Sequence, residues 1–241
     1  MKTVIVTGAS SGIGLGLAEA YLKRGCNVVA NARTQERLKK AADHLGAPSN
    51  FLAVAGDIGL KATAEKIIRE AVAKFGQVDI LINNAGIFNA KPFADYSPED
   101  LDSLINTCLK GFFYISQLAS TQMAKQGQGH IVNITAAIAM QPNVNVPASI
   151  PILIKGGLNS VTQALALEFA SKNIKVNAVA PGIIDTPLYS PDMHEFLKSM
   201  QPVGRIGKIK DVVEAVLYLT DSEFTTGVVL SVDGGMSAGK W

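Results

Sequence analysis

The chain has 241 residues, of which 48% are hydrophobic, and its formal net charge is +2 at pH 7. A chain of this length can bury one large core, and its composition is not that of a disordered protein. The near-neutral charge, without a basic stripe, argues against nucleic acid as a partner. The two cysteines, Cys26 and Cys108, are far apart and the three histidines are scattered. This spacing predicts no disulfide framework and no metal site.

The N-terminal apolar stretch is too short for a signal sequence, and no apolar run approaches the length that spans a bilayer. We therefore expect a cytoplasmic protein with no membrane segment.

Apolar, strand-like runs alternate with helical patterns along the chain. Strands are predicted over 3–7, 27–31, 51–55, 79–82, 130–135, 175–179 and 228–232. Helices are predicted over 13–24, 35–45, 61–75, 98–125, 151–171 and 210–220. Most strand runs are nearly continuous in Val, Ile and Ala, which is typical of a parallel sheet covered on both faces. The alternation predicts one doubly wound α/β domain over residues 1–241, with a proline-dotted lid over 185–209.

A glycine-rich turn follows the first predicted strand and precedes the first predicted helix. It contains Gly8, Ser10, Ser11, Gly12, Ile13 and Gly14. Glycines at these positions allow a tight turn, and the helix N-terminus offers free N–H groups to a pyrophosphate. The position between strand and helix favours dinucleotide binding over a plain glycine turn.

The tip of the second predicted strand carries Ala32 followed by Arg33. A carboxylate at this tip would bind the ribose 2′-OH of NAD, whereas an arginine suits the 2′-phosphate of NADP. The sequence therefore favours NADP(H), with NAD(H) possible. The alternative is that Arg33 is an ordinary surface arginine at a helix start.

Two further turns follow predicted strands at the expected ligand edge of the sheet. Asp57 and Ile58 follow the third strand, where the carboxylate could accept a hydrogen bond from adenine or could instead cap the next helix. Asn84, Ala85 and Gly86 follow the fourth strand as a small-residue turn.

These motifs together resemble the short-chain dehydrogenase/reductase family, of the compact ketoreductase type. The resemblance also rests on Asn133, Lys155-Gly156-Gly157, the stretch 176–182, Asp185-Thr186 and 232–235. It implies a seven-stranded parallel sheet of Rossmann type with helices on both faces, a nicotinamide cofactor, and a homotetramer or homodimer. The helices that hold Cys108 and Lys155 resemble one family interface, and 228–241 resembles the other. The resemblance further implies that Pro181, Gly182, Ile184 and Thr186 contact the nicotinamide side and that Lys155 binds its ribose.

The family's Asn-Ser-Tyr-Lys active site is altered in three of its four positions. The aligned residues are Cys108, Ala136, Pro151 and Lys155. Asn106 lies two residues before the first of these positions. Proline cannot donate a proton, although it is favoured in the first turn of a helix. Any proton donor must therefore be non-standard.

Four residues are candidates for this catalytic work. Lys155 could donate a proton if its surroundings lower its pKa. Thr135 and Ser149 could position a substrate oxygen or a water, or could simply cap backbone groups. Tyr189 could enter from the lid, or could be a half-buried lid aromatic.

These residues are compatible with two functions. The first is an NAD(P)(H)-dependent oxidoreductase that acts on a small-molecule carbonyl or alcohol with an atypical proton source. The second is a catalytically silent dinucleotide-binding protein, acting as a redox sensor or a regulatory partner. A purely structural subunit is disfavoured because the glycine turn and Lys155 are intact.

Overall fold

The computed structural model describes residues 1–239 of the chain; Lys240 and Trp241, the end of the predicted 228–241 interface segment, lie outside the described residues. One seven-stranded sheet forms the centre of the molecule. Its strands are β1 (Thr3–Thr7), β2 (Asn27–Ala32), β3 (Phe51–Ala55), β4 (Ile80–Asn83), β5 (Gly129–Ile134), β6 (Ile174–Pro181) and β7 (Val229–Val232). All pair in parallel, in the order β3-β2-β1-β4-β5-β6-β7. The predicted doubly wound Rossmann-type fold is confirmed.

Within residues 1–239, eight α-helices surround this sheet. They are α1 (Gly12–Lys23), α2 (Gln35–His44), α3 (Lys61–Phe75), α4 (Pro98–Leu104), α5 (Gly111–Gln126), α6 (Ser149–Phe169), α7 (His194–Ser199) and α8 (Ile209–Asp221). One apolar cluster joins α1, α2 and α8 to the sheet, and a second joins α3, α5 and α6 to its other face. Because apolar layers cover both faces, the strand residues carry no polar alternation, as the sequence indicated.

The helix predicted over 98–125 is not regular. A π-helical segment, Ile105–Lys110, separates α4 from α5 and contains both Asn106 and Cys108. A π-helical turn holds an extra residue in the helix and often occurs at functional sites. Here it changes which side chains of the segment face the sheet edge, which hydrophobic periodicity could not show.

By length and composition alone, the 24 residues Ser149–Lys172 could cross a membrane, contrary to the expectation that no run was long enough. In the fold this segment is a layer helix of the domain. Ala166 and Phe169 of α6 pack with Ile174 and Val176 of β6. Burial against the sheet accounts for only part of its apolar character, since 33% of the apolar window is buried.

The predicted lid contains short helices. Pro191–Met193 forms a 3₁₀ turn, and α7 follows it directly. A parallel bridge between Ile184 and Gly207 joins the two ends of the segment. The lid therefore leaves the sheet after β6 and returns to the same place.

Ile131, in the middle of β5, is fully buried between two paired strands. We expect Ile131→Ala to lower the free energy of unfolding by about 2–5 kcal/mol, because it removes buried methyl groups and leaves a cavity. Urea unfolding would measure this as a lower midpoint with an unchanged slope. Val144→Ala, at a side chain that is 95% exposed, is the control. Equal midpoints for the two variants would contradict the packing described here.

Candidate active site

A cleft of about 1110 Å³ opens at the carboxyl ends of the strands. It lies where the chain order reverses between β1 and β4, the usual ligand position in such sheets. Most residues predicted to bind a cofactor line it. They are Gly8, Ser10, Ser11, Gly12, Ile13, Arg33, Asp57, Ile58, Asn84, Ala85, Gly86, Lys155, Pro181, Gly182, Ile184 and Thr186.

Gly14, the remaining predicted residue, is not among the described residues that line the cleft. It allows the glycine loop to pack closely against the turn after β4. A Cβ on Gly14 would stand 2.3 Å from the Gly8 carbonyl oxygen and 2.5 Å from the Asn84 amide nitrogen. Gly8 and Gly12 have positive φ angles of 67° and 54°, which strongly favour glycine. The loop can therefore lie close to the sheet edge only with this glycine spacing.

The Asn84 side chain fixes the loop to the neighbouring strand. Its amide donates to the carbonyl oxygens of Thr7, at 2.9 Å, and Gly8, at 3.2 Å. The Thr7 hydroxyl oxygen in turn accepts the backbone N–H groups of Asn84 and Ala85. Thr7 is thus a positioning residue that was not among the predicted site residues.

The loop fits the pyrophosphate of a dinucleotide. Ser11 is the N-cap residue of α1, yet its side chain makes no capping hydrogen bond. The N-terminal N–H groups of α1 and this hydroxyl can therefore serve an anion. Thr186 closes the other side, because a Cβ on Gly12 would stand 3.4 Å from the Thr186 Cβ.

Arg33 is accompanied by two further cations that were not predicted. Arg37 and Lys40 of α2 line the same end of the cleft. Arg37 and Lys40 are three residues apart in α2 and therefore lie on one face of the helix, and this spacing was the available signal. Lys40 also pairs with Glu36 at 2.7 Å. This end is therefore positively charged, as a 2′-phosphate requires.

Two hydrogen bonds hold the Asp57 carboxylate in place. Its carboxylate accepts the Gly59 N–H at 2.9 Å and the Asn106 amide at 3.1 Å. The alternative role as N-cap of α3 is wrong, because the N-cap residue is Leu60. Asn106 consequently faces the Asp57 side of the cleft and does not replace the asparagine that the family carries at position 108.

Lys155 lies at the inner wall, one helical turn after Pro151. Its Nζ donates to the Ile134 carbonyl oxygen, at 2.7 Å, where β5 ends. Burial lowers the pKa of Lys155 from its usual 10.5, while the nearby Cys108 raises it slightly. Lys155 Nζ and Cys108 Sγ lie 3.5 and 3.8 Å from the point where a Cβ on Gly86 would stand. The Cys108 thiol also contacts the backbone N–H and carbonyl of Ile87.

Pro151 is the third residue of α6 and is buried. The first backbone bond of the helix runs from Ile152 N–H to the Ala148 carbonyl, at 2.9 Å. The missing proline N–H therefore costs the helix nothing. The fold accepts proline here without any change in the course of the chain.

Of the other predicted catalytic residues, Thr135 and Tyr189 line the cleft, whereas Ser149 is not among its described lining residues. Ser149 is exposed at the start of α6 and is not among the described residues that line the cleft. Thr135 lines the cleft, but its hydroxyl donates to the Val179 carbonyl at 3.3 Å. Tyr189 lines the cleft from the lid and is half-buried, and burial raises the pKa of its phenol. The structure brings Lys155, Thr135 and Tyr189 to one cleft and leaves Ser149 outside it.

Beyond Lys155 the cleft continues between α6 and the lid and becomes apolar. A third apolar cluster forms this end, and several of its members line the cleft. They are Phe88, Ala136, Ile138, Val146, Ile183, Tyr189, Leu197, Met200 and Met236. Apart from Ala136 and Tyr189, the residues of this wall were not predicted from the sequence, because they come from segments that are separate along the chain.

A family model described as enoyl-(acyl carrier protein) reductase matches residues 8–237. The (2S)-[(R)-hydroxy(phenyl)methyl]succinyl-CoA dehydrogenase subunit BbsD of Thauera aromatica is 35% identical over 98% of this chain and 96% of its own. The structure of 3-ketoacyl-(acyl-carrier-protein) reductase from Brucella melitensis complexed with NADH superposes with a TM-score of 0.92, at 32% identity over 98% of both chains. ElxO with NADP bound superposes with a TM-score of 0.92, at 31% identity over 99% of both chains. The family resemblance drawn from the sequence is confirmed, and the chain belongs to the short-chain dehydrogenase/reductase family of NAD(P)-dependent oxidoreductases.

Proposed function

We propose that the protein transfers hydride between NADP(H) and a small carbonyl or alcohol, with Lys155 as the proton donor. NAD(H) remains possible as a second cofactor. The observation that carries the proposal is the Lys155 ammonium at the inner wall of the cleft, 2.7 Å from the Ile134 carbonyl oxygen. The protein is proposed to work in the cytoplasm.

The dinucleotide would be held by residues of the whole cleft. The glycine loop, with Ser10, Ser11 and Ile13, would hold the pyrophosphate, and Arg33 would hold the ribose 2′-phosphate. The remaining contacts are proposed from Asp57, Ile58, Asn84, Ala85, Gly86, Pro181, Gly182, Ile184 and Thr186. When bound, the nicotinamide supplies or takes up the hydride, and the protein provides position and the proton.

Two residues of the cleft, Lys155 and Tyr189, are the candidates for the general acid. In reduction, the donor gives its proton to the carbonyl oxygen while hydride reaches the carbonyl carbon; Lys155 would be left as a neutral amine, and Tyr189 would be left as a phenolate. Burial lowers the pKa of Lys155 and makes its ammonium a stronger acid. Burial raises the pKa of Tyr189 and makes its phenol a weaker acid. This difference favours Lys155, with Tyr189 as the second candidate.

Thr135 and Ser149 have smaller proposed roles. A hydroxyl is too weakly acidic to be a good general acid. Thr135 lines the cleft and could orient a substrate oxygen. The exposed position of Ser149 supports a local role at the start of α6.

The silent dinucleotide-binding protein is the second candidate. It is favoured by the joint replacement of three family active-site positions by Cys108, Ala136 and Pro151. A general acid typically contributes about 10²–10⁴-fold to a rate, so its loss alone need not remove activity. The two candidates therefore separate on measured turnover.

We also propose that the chain forms a homodimer or homotetramer. Leu109 and Phe113, at the π-helical segment and α5, are exposed, as are Leu153 and Leu167 of α6. Apolar side chains on two helices of one face form the kind of surface that is buried in oligomers.

Lys155→Ala is expected to lower kcat for carbonyl reduction by about 10²–10⁴-fold, because the proton donor is lost. In the wild type, reduction should slow as the pH rises through the lowered pKa of Lys155, since only the ammonium donates. Lys155→Arg should be as slow as Lys155→Ala and should show no falling limb, because a guanidinium keeps its proton up to about pH 12 and cannot replace the donor. NADPH oxidation against a carbonyl panel from pH 6 to 10 measures both effects, and Lys172→Met is the control at an exposed lysine.

One further variant tests the silent alternative in the same assay. Pro151→Tyr combined with Ala136→Ser returns a phenol and a hydroxyl to the two altered positions. Turnover that appears only in this double variant, with none in the wild type, would refute Lys155 as a working donor.

Arg33→Ala is expected to weaken NADPH binding about tenfold or more and to leave NADH binding nearly unchanged, because only the 2′-phosphate loses a charged hydrogen bond. Arg37→Ala and Lys40→Ala should weaken NADPH binding less, and all three effects should shrink at high salt. Calorimetry with both dinucleotides measures this preference. Arg69→Ala, at an exposed arginine of α3, is the control. Equal losses for NADH and NADPH would contradict the proposed 2′-phosphate site.

Phe113→Lys is expected to shift the protein towards smaller species, since it places a charge within the proposed interface. Sedimentation equilibrium of the wild type and the variant measures the change. Val228→Lys, at a side chain that is 38% exposed at the start of the segment 228–241, samples the other predicted interface. A wild type that sediments as a monomer at micromolar concentration would refute the oligomer.

A further inference from the structure

We infer that the substrate end of the cleft takes a carbonyl compound with an uncharged, apolar substituent, such as an alkyl or aryl ketone or aldehyde. The inference rests on the proposed function, because the same cleft must first hold the dinucleotide. It concerns the wall beyond Lys155, its rim on the lid, and the distribution of charge along the cleft.

The wall is apolar and already packed. Ile138, Ile183, Leu197, Met200 and Met236 are each less than 10% exposed and belong to one cluster, yet each still faces the cleft. Their shape therefore does not depend on a ligand. An apolar substituent that enters here exchanges water for hydrocarbon contacts without rearranging the protein.

The rim on the lid is apolar but exposed. Leu188, Met193 and Phe196 line the cleft while being 58%, 40% and 59% exposed, respectively. Three large apolar side chains at the mouth of one cleft form a patch that a ligand can cover. A substituent long enough to reach the rim would bury this surface as well, so binding should strengthen with chain length.

Charge is confined to the other end of the cleft. Arg33, Arg37, Lys40 and Asp57 line the dinucleotide end. In the substrate half, Lys155 alone carries a charge among the lining residues that the structure describes. A carboxylate or phosphate on the substituent would therefore lose water without gaining a cationic partner.

Four titratable residues of the lid lie in two close pairs. His194 Nε2 lies 3.5 Å from Asp185, and Lys198 pairs with Glu195. None of these four is among the described residues that line the cleft. They therefore provide no anchor for a charged substrate.

Methionine side chains allow the apolar end of the cleft to accept substituents of different shape. Met193, Met200 and Met236 all line it, and methionine is unbranched and flexible. Such a wall adapts to alkyl and aryl groups of different shape. The expected selectivity is therefore for apolar character and length rather than for one outline.

The test uses methyl ketones of four to ten carbons and the oxo-carboxylates of matching length. They are added to the protein saturated with NADP⁺, which cannot give hydride, so the ketones bind without reacting. The chain contains six methionines, and carbon-13 methyl labelling follows each of them by NMR. We expect the signals of Met193, Met200 and Met236 to shift and that of Met123, a fully buried residue of α5, to stay unchanged.

Affinity should rise about fourfold for each added methylene until the rim is covered, which corresponds to about 0.8 kcal/mol at 1.4 kcal/mol per factor of ten. The oxo-carboxylates should bind at least tenfold more weakly. Equal or tighter binding of the oxo-carboxylates, or affinity that does not change with length, would overturn the inference.

Two lysine variants supply a second test. Met193→Lys at the exposed rim should fold, should weaken ketone binding and should strengthen binding of the oxo-carboxylates. Met200→Lys should do the same more strongly, and Met200→Leu, which keeps the apolar wall, is its matched control. A Met193→Lys protein that keeps the wild-type preference would count against the inference.

The outcomes for binding and for turnover are separable. Ketone binding with the expected shifts but no NADPH oxidation on any compound would refute the oxidoreductase and leave the apolar site standing. Rapid turnover of oxo-carboxylates in preference to ketones would refute the apolar site and leave the oxidoreductase standing.

Discussion

The close approach of the glycine loop to the β4 turn is the constraint on which the site depends. The Asn84 amide reaches the carbonyl oxygens of Thr7 and Gly8 only because Gly14 has no Cβ. This contact fixes the start of α1 beside the end of β4, at the reversal of strand order. The N-terminal N–H groups of α1, which are proposed to bind the pyrophosphate, take their position from that edge.

The same edge of the sheet accounts for the hydrogen bond and the lowered pKa of Lys155. Its ammonium lies under the end of β5, where the Ile134 carbonyl is its hydrogen-bond acceptor and burial lowers its pKa. One neutral dipole compensates a buried cation poorly, so the proton is held less tightly than on an exposed lysine. This lowered pKa is what supports Lys155 as the proposed proton donor. Cys108, in the π-helical segment, raises the pKa of Lys155 and so opposes the larger effect of burial.

Polarity divides the cleft into two functional halves. Cations from the α2 face lie at one end, and the apolar cluster between α6 and the lid lies at the other. Lys155 stands at the boundary, where the reacting carbonyl is proposed to lie. This division orients a dinucleotide and an apolar substrate along one cleft, because each ligand loses least hydration in the half that matches it.

The sequence by itself determined the fold, the family and the glycine loop, because strand–helix alternation and the Gly8–Gly12–Gly14 spacing are local patterns. It also identified Lys155 and the substitution by Pro151. Only the tertiary structure decided which way Asn106 faces, since a π-helical segment changes the helical phase there. It likewise placed Arg37 and Lys40 beside Arg33 at one end of the cleft, formed the apolar wall at the other end, and left Ser149 outside the lining that is described. The residues of the apolar wall come from segments far apart in sequence, and their meeting depends on packing rather than on local pattern.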